Sequence, residues 1–329
     1  MRIALVGFGN VGRAVASLLM NPRALAAPLL RPRGPFVVTA IGTARHGAVV
    51  DANGIDLHTI LAGTDLPLRA LPPIRELPAD VLVEITTLEP ATGEPALSHL
   101  REALRAGMHV VTANKGPIAR AYRELDALAQ EKGRLLRFEA AVADCLPVFT
   151  LRRAALPLAN IGAIRGIVSG TCNYVLSQCA LGVDFEDAVR EARRLGMAEA
   201  DPRHDLEGHD AAAKATILAN VLMGGDIRPE DVERHPIDAS VGDAARAAAA
   251  VGARLRPLID IERRGGRILA AFRPRRLEPL DPLYAVDGGS MGLVFETDLA
   301  GTVAVQLHDP RIEQVAYAIL TDLLEIAGS

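Results

Sequence analysis

The sequence predicts an α/β protein of two domains, the first of them built on a doubly wound, largely parallel sheet. Three observations favour this class. Apolar, strand-like runs alternate with helical patterns along the first half of the chain, the first run leads into a glycine turn, and the 329 residues, half of them apolar, suffice for two cores. We therefore expect one domain over residues 1–138, completed by residues 305–329, and a second α/β domain over residues 139–304.

The chain begins with a strand, a glycine turn and a helix. Ile3 to Val6 form a short apolar run, and a helical pattern containing Val15 follows the turn. The turn consists of Gly7, Phe8, Gly9, Asn10, Val11 and Gly12. Gly7 permits the tight turn, Gly9 lets a pyrophosphate approach the backbone, and Gly12 lets helix and strand pack closely. In this context the turn predicts a Rossmann-type dinucleotide-binding site, although the glycine pattern alone also occurs by chance.

Three further strands continue the alternation, and two of them end in polar residues. The strands are expected at Phe36–Ile41, Val81–Thr86 and His109–Ala113, with a helix capped by Ser98 and ended by Gly107 before the last. Open α/β sheets bind ligands at the carboxyl ends of their strands. Thr86 and Lys115, at two such ends, are therefore candidate cofactor contacts, the alternative for Lys115 being an ordinary loop lysine.

The choice between NAD and NADP depends on the end of the second strand. A carboxylate there would accept hydrogen bonds from the ribose of NAD, but residues 42–46 read G-T-A-R-H. Arg45 and His46 are suited to a 2′-phosphate instead. The sequence thus favours NADP over NAD, with the inserted residues 21–35 leaving the alignment of this strand open.

In the second half, Ile161–Val168 is an expected strand, residues 170–174 an expected turn, and Val175–Leu181 the possible start of a helix. Asp184 is a predicted N-cap for a helix through Leu195, closed by Gly196. Residues 196–214 then concentrate more ionisable groups than any comparable stretch.

This ionisable segment ends in a charged pair at an unusual place. If the segment after Gly208 is helical, Asp210 and Lys214 share a face with three apolar residues, Ile217, Leu218 and Val221. A desolvated lysine needs a partner or a function, so Lys214 is a candidate proton carrier. The alternative is a solvated pair four residues apart.

A metal site is the other chemistry considered for this segment. His204, Asp205, His209 and Asp210 include suitable ligand types, but their spacing fits no closed zinc site. Hydride transfer with a nicotinamide needs a proton donor or acceptor at the carbinol oxygen, and a metal is not necessarily needed. Lys115 and Lys214 are the candidates for that role.

Composition excludes several other classes. Acidic and basic residues are interspersed at a net charge of −4, which gives no footprint for nucleic acid or an anionic membrane surface. No apolar run approaches the length of a membrane span, and no signal-type segment opens the chain. The three cysteines, Cys145, Cys172 and Cys179, have no metal spacing, so a cytoplasmic location is expected.

Five separated segments carry a resemblance to one family. They are the glycine turn, G-E-P-A-L at residues 93–97, V-T-A-N-K-G-P at 111–117, G-T-C-N-Y-V-L at 170–176 and the ionisable segment at 196–214. In order and in register they resemble homoserine dehydrogenase, in its short form without a regulatory ACT domain. The resemblance implies a cytoplasmic, NAD(P)-dependent homodimer that interconverts L-aspartate 4-semialdehyde and L-homoserine in threonine and methionine biosynthesis, the second domain being both catalytic and dimerising.

The resemblance also assigns roles to individual residues. Lys214 would donate the proton to the aldehyde oxygen, and Asp210 would hold both Lys214 and the substrate hydroxyl. Lys115 would lie beside substrate and nicotinamide. The amino-acid substrate would contact Glu199, Asp205 and Thr171, and Gly196 would lie near the cofactor. A structural Na⁺ or K⁺ would be bound through the backbone at Glu139, Val142, Asp144 and Leu146.

Three departures from the family pattern leave alternatives open. Ala143 and Cys145 stand where the family has glycines, and residues 287–291 lack an expected asparagine. Gln306–Arg311 stand in place of a G-x-G-A-G loop, before a helix predicted at Ile312–Ile326. The protein could thus be a paralogous dehydrogenase for another small hydroxy or amino acid. A non-catalytic dinucleotide-binding protein is a further alternative, against which the retained lysines argue.

Overall fold

The computed structural model describes residues 1–21, 35–63, 70–198 and 201–328, and the chain forms two compact units. The first unit comprises residues 1–145 and 311–329, and the second comprises residues 146–310. The sequence placed these boundaries after residues 138 and 304. The later boundary lies further along because the last strand of the second sheet continues to Leu307.

The first unit contains a six-stranded sheet in the order β3-β2-β1-β4-β5-β6. Its strands are β1 Arg2–Val6, β2 Val37–Thr43, β3 Gly47–Val50, β4 Val81–Glu84, β5 His109–Thr112 and β6 Leu136–Arg137. Neighbours run parallel except β2 and β3, which pair as an antiparallel hairpin. The predicted alternation of strand and helix is therefore interrupted at this edge, where Gly47, at φ +76°, follows the tight turn.

Helices surround this first sheet. They are Asn10–Leu19, Leu57–Leu61, Ala96–Arg105, Lys115–Glu131, Ala140–Ala143 and Ile312–Gly328, with a 3₁₀ turn at Ile74–Glu76. The C-terminal helix buries Ala316, Ile319 and Leu323 in the same core as Ile3 and Val83, because three- and four-residue spacing makes one apolar stripe.

One predicted helix start was wrong. Ser98 lies inside the helix Ala96–Arg105 and does not cap it. Its backbone N–H donates to the Glu94 carboxylate at 3.0 Å, so the acidic side chain one turn earlier satisfies this end of the helix.

The second unit contains a six-stranded sheet in the order β12-β11-β7-β9-β10-β8. Its strands are β7 Ile161–Ile167, β8 Glu233–Arg234, β9 Arg254–Arg264, β10 Arg267–Leu277, β11 Met291–Thr297 and β12 Gly301–Leu307. Its helices are Phe149–Ala154, Gly170–Ala180, Phe185–Arg194, Arg203–Leu206, His209–Leu222 and Ala239–Ala250, with a 3₁₀ turn at Pro229–Asp231. Among the described residues, no helix is both long and apolar enough to cross a membrane.

Local signals explain how the helices of the second unit begin and end. The Asp184 side chain caps Phe185–Arg194 and Gly196, at φ +72°, closes it, as predicted. Residues 170–174 are not the expected turn but the start of a helix, because the Ser169 hydroxyl accepts the Cys172 N–H at 3.3 Å. Gly170 is required there, since a Cβ would lie 2.9 Å from the Gly289 carbonyl oxygen.

Candidate active site

The glycine turn of the first unit is tightly packed at two of its glycines and open at the third. A Cβ on Gly7, which has φ +102°, would lie 2.3 Å from the Ile85 carbonyl oxygen, and one on Gly12 would lie 2.6 Å from the Gly7 oxygen. A Cβ on Gly9, at the N-cap of Asn10–Leu19, would meet nothing within 4 Å among the described residues. The turn thus brings bare backbone to the start of a helix, where the helix dipole favours an anion.

Thr86 and Lys115 lie at neighbouring strand ends of the same sheet. Asn114 caps the helix Lys115–Glu131 by accepting the Gly116 N–H at 3.2 Å, and its amide donates to the Thr86 carbonyl at 3.4 Å. Lys115 is half-buried at the first position of that helix. The two candidate cofactor contacts are therefore connected through Asn114.

Arg45 and His46 occupy the exposed hairpin turn between β2 and β3. The His46 N–H donates to the Thr43 hydroxyl at 2.8 Å, which fixes the turn and leaves both side chains exposed. A 2′-phosphate could be met there by two basic side chains, and the turn carries no carboxylate.

In the second unit, Lys214 is held by two oxygens in a buried setting. Its Nζ lies 2.9 Å from Asp210 Oδ2 and donates to the Val168 carbonyl at 2.6 Å. The side chains are only 12% and 11% exposed, and Ile217 and Leu218 beside them are fully buried. The predicted charged pair on an apolar face of the helix His209–Leu222 is confirmed.

The helix Gly170–Ala180 makes polar contacts with the ionisable segment. The Thr171 hydroxyl donates to the Met197 carbonyl at 2.7 Å, which ties that helix to the residue after Gly196. The carbonyl of Asp205 accepts the Cys172 thiol at 3.3 Å, and burial raises the pKa of Cys172 to about 12. The predicted substrate residue Glu199 lies outside the described residues.

The histidines of the ionisable segment do not form a metal centre in the part of the chain that the structure describes, where no group of three or more potential side-chain ligands converges. The His204 and His209 rings stack at 5.5 Å. His209 also contacts Glu207 and Arg234, so its ring nitrogens are engaged on the surface.

A buried arginine in the second unit was missed by the sequence reasoning. Arg256, on β9, is 1% exposed; its guanidinium donates to Ser177 Oγ at 2.7 Å and pairs with Asp287 at 3.1 Å. Burial would raise the pKa of Asp287, but hydrogen bonding by Ser177 and the charge of Arg256 outweigh it and lower the pKa to about 2.

Asn173 and Arg256 together fix the loop at residues 286–290. The Asn173 amide donates to the Val286 and Ser290 carbonyls at 3.3 and 3.1 Å. Gly289 in this loop faces Met197, whose Cε would lie 2.6 Å from a Cβ at that position. The alternation of apolar and polar residues along β9 is a weak sequence signal that Arg256 is buried. The sequence alone does not distinguish Arg256 from the other arginines of the β9–β10 hairpin.

At two departures from the family pattern, aspartates adopt a backbone conformation typical of glycine. Asp144 and Asp309 both have φ +50°. Asp144 follows the short helix Ala140–Ala143, in which Val142 is buried, and Glu139 before that helix is buried too. His308 and Arg311 are exposed.

Of the predicted cation ligands, Glu139, Val142 and Asp144 belong to the first unit and Leu146 begins the second.

A glycine turn on a nucleotide-binding sheet and a buried lysine–carboxylate pair are features of an NAD(P)-dependent oxidoreductase. Family models identify the kind. The model for homoserine dehydrogenase matches residues 147–324, and the model for the homoserine dehydrogenase NAD binding domain matches residues 7–139. This chain belongs to the homoserine dehydrogenase family.

Similarity to known proteins extends over the whole chain. Homoserine dehydrogenase of Methanocaldococcus jannaschii is 36% identical, with 100% of this chain and 99% of that protein covered. The NAD(+)-dependent homoserine dehydrogenase of Pseudomonas canavaninivorans is 34% identical, with 100% and 96% covered. A hyperthermophilic archaeal homoserine dehydrogenase in complex with NADPH has a TM-score of 0.81 at 27% identity, with 99% and 97% covered.

Proposed function

We propose that this protein reversibly converts L-aspartate 4-semialdehyde and L-homoserine, using NADP or NAD and acid/base catalysis by Lys214. The observation that carries the proposal is the buried ion pair between Lys214 and Asp210, 2.9 Å apart. A binding protein would have no need for a desolvated proton carrier, so this pair argues against the non-catalytic alternative.

The contacts of Lys214 leave one of its N–H donors for the substrate. An ammonium group has three N–H donors, and two of them are used by Asp210 and the Val168 carbonyl. The third is available for the oxygen of the substrate. A bound nicotinamide would supply or take the hydride. As the aldehyde carbon gains the hydride, its oxygen takes the proton from Lys214, and in the reverse direction neutral Lys214 takes the hydroxyl proton.

The substrate is a small zwitterion and needs both signs of charge in its pocket. We assign its amino group to Glu199, and the rest of the pocket to Thr171 and Asp205. The Thr171 hydroxyl gives its one proton to the Met197 carbonyl, so its oxygen is left to accept a donor from the substrate. Lys115 is assigned to the substrate and the nicotinamide, and Gly196 to the cofactor.

The coenzyme assignment follows from the glycine turn and the β2–β3 hairpin. Phe8, Asn10 and Val11 accompany the three glycines of the turn, and Thr86 and Lys115 complete the set of contacts. The exposed basic turn at Arg45 favours NADP over NAD.

Replacing Arg45 with alanine should lower the ratio of kcat/KM for NADP to that for NAD about tenfold, as loss of one charged phosphate contact would. An unchanged ratio would refute the assignment.

A structural Na⁺ or K⁺ bound by the backbone at residues 139, 142, 144 and 146 also belongs to the proposal. Carbonyl oxygens are the donor type that such hard cations take. Melting temperature should then rise in NaCl or KCl relative to choline chloride at equal ionic strength.

A homodimer is expected as well, and light scattering on the purified protein would test it.

The function is tested with the purified protein and a substrate panel. Reduced NADP and NAD are supplied with aspartate semialdehyde and with other small aldehydes and keto acids, and oxidation of the coenzyme is followed. Aspartate semialdehyde should be the preferred substrate. Preference for another member would favour the paralogous dehydrogenase, the alternative motivated by the exposed His308 and Arg311 where the family has glycines. Tight coenzyme binding without turnover of any substrate would favour the non-catalytic alternative.

A further inference from the structure

Glu84 is a fully buried carboxylate at the end of β4 to which the proposed function assigns no role. It has no exposed surface, although ionised carboxylates are seldom buried without a charged partner. In the described part of the chain, no arginine or lysine lies within ion-pair distance of it. The ionisable side chain beside it is His99, whose Nδ1 lies 3.6 Å from Oε1. A group so costly to bury calls for an explanation beyond packing.

Its position in the sheet is the place where ligands of such folds bind. The order β3-β2-β1-β4-β5-β6 reverses direction between β1 and β4, and the crevice at this reversal is the ligand site of open α/β sheets. The two strand ends are joined there, since the Ile85 N–H donates to the Val6 carbonyl at 2.8 Å and Gly7 packs on Ile85. Glu84 lies directly before this junction.

Glu84 determines which hydrogen bonds Thr86 can make. Its Oε1 accepts the Thr86 backbone N–H at 3.2 Å and also accepts the Thr86 hydroxyl proton. A threonine hydroxyl has a single proton. Once that proton is given to Glu84, the remaining lone pairs of Thr86 Oγ1 can only accept hydrogen bonds.

The backbone of Glu84 is linked to the cap of the Lys115 helix. The Thr112 hydroxyl donates to the Glu84 carbonyl oxygen at 2.8 Å and accepts the Asn114 N–H at 2.9 Å. Asn114 returns to the Thr86 carbonyl through its amide. Thr86 is therefore oriented from both sides, by Glu84 and by Asn114.

We propose that Glu84 is a positioning residue for the coenzyme, which it serves by holding Thr86 Oγ1 as an obligate acceptor for an N–H or O–H donor of the dinucleotide. The carboxamide of a nicotinamide and the hydroxyls of its ribose are donors of this class. The inference rests on the proposed function, since that function makes the dinucleotide the ligand. It deepens that function by assigning Glu84 to coenzyme recognition through Thr86.

The test is a double-mutant cycle on coenzyme affinity, with Kd measured directly by fluorescence titration of the full chain with NADPH and NADH. E84Q and T86V should each weaken binding about tenfold, the loss of one hydrogen bond to a well-placed donor. The double variant should also be about tenfold weaker, because both changes remove the same acceptor. T86S retains the hydroxyl and should bind like the unaltered protein.

A matched control distinguishes positioning from general destabilisation. Thr39 is a fully buried hydroxyl on β2 that donates to the Pro78 carbonyl at 2.9 Å, away from the strand ends discussed above. T39V should lower the melting temperature without changing Kd. An unchanged Kd in E84Q, or a double variant about a hundredfold weaker, would overturn the role of Glu84 alone. Failure of the unaltered protein to bind either coenzyme would overturn the proposed function as well.

Discussion

The two units hold their functional groups in opposite ways. In the first, Gly7 and Gly9 present bare backbone at the proposed coenzyme site, and nearby side chains form hydrogen bonds around one buried carboxylate. In the second, a full ion pair, Lys214 with Asp210, is buried beside apolar residues. The difference teaches that the first unit should be sensitive to added atoms and the second to removed charges.

The largest expected effect is the loss of Lys214. K214M should lower kcat about a thousandfold, within the usual range for removal of an acid/base group, while NADPH affinity remains unchanged. It also leaves Asp210 buried without this partner, which costs about 3 kcal/mol in comparable pairs. Initial rates with aspartate semialdehyde and thermal melts would measure the two effects.

A companion variant separates chemistry from folding in this region. K214M/D210N removes both charges, so it should recover most of the melting temperature and none of the rate. Recovery of turnover together with stability would show that the pair is structural, and the contrast between the units would fail.

The next effect should appear at the glycine turn. G7A combines a strained φ with a Cβ 2.3 Å from the Ile85 oxygen, so it should destabilise the protein by about 2 kcal/mol and abolish coenzyme binding. G9A meets no described protein atom and has an extended backbone, so it should retain the melting temperature and weaken NADPH binding at least tenfold. Calorimetry and fluorescence titration give both quantities. Equal melting temperatures for the two variants would contradict the account of the turn.

A smaller effect is expected from the buried arginine that was not predicted. R256M removes a partner of Ser177 and Asp287, so the loop at residues 286–290 should lose part of its support. We expect a several-fold higher KM for the amino-acid substrate, with coenzyme Kd unchanged, because the loop faces Met197 in the second unit. R256K should restore part of the effect. Identical KM values for all three proteins would show that Arg256 contributes only to stability.

The smallest effect is on acid stability. Because the pKa of Asp287 falls from 3.8 to about 2 on folding, its stabilising contribution is complete above about pH 4 and lost as the pH falls towards 2. D287N should therefore be less stable than the unaltered protein at pH 7, with the difference shrinking between pH 4 and 2. Urea melts across this range test the prediction, and a constant difference would contradict it.

The parts of the molecule that the sequence predicted are those governed by local rules. The strand at Ile3–Val6, the Asp184 cap and the Lys214 pair each depend on spacing along one segment, and the structure contains all three. The predicted turn at residues 170–174 was wrong because one serine before it was enough to start a helix. Local capping thus decided where elements begin.

The features that were missed depend on residues far apart in sequence. Glu84 contacts His99 and Thr112, and Arg256 contacts Ser177 and Asp287, so neither network has a signature within one segment. The hairpin at Gly47–Val50 was missed for a different reason, since a four-residue edge strand carries little pattern. Of the proposed substrate contacts, Glu199 lies outside the described residues, and its role rests on resemblance.

The most direct test of the central claim is product identification. Purified protein would be incubated with aspartate semialdehyde and NADPH, or NADH, and the amino-acid product identified by mass and chromatography. We expect homoserine in a one-to-one ratio to coenzyme oxidised, and none from K214M. Coenzyme oxidation without homoserine, or homoserine formed equally by K214M, would contradict the account.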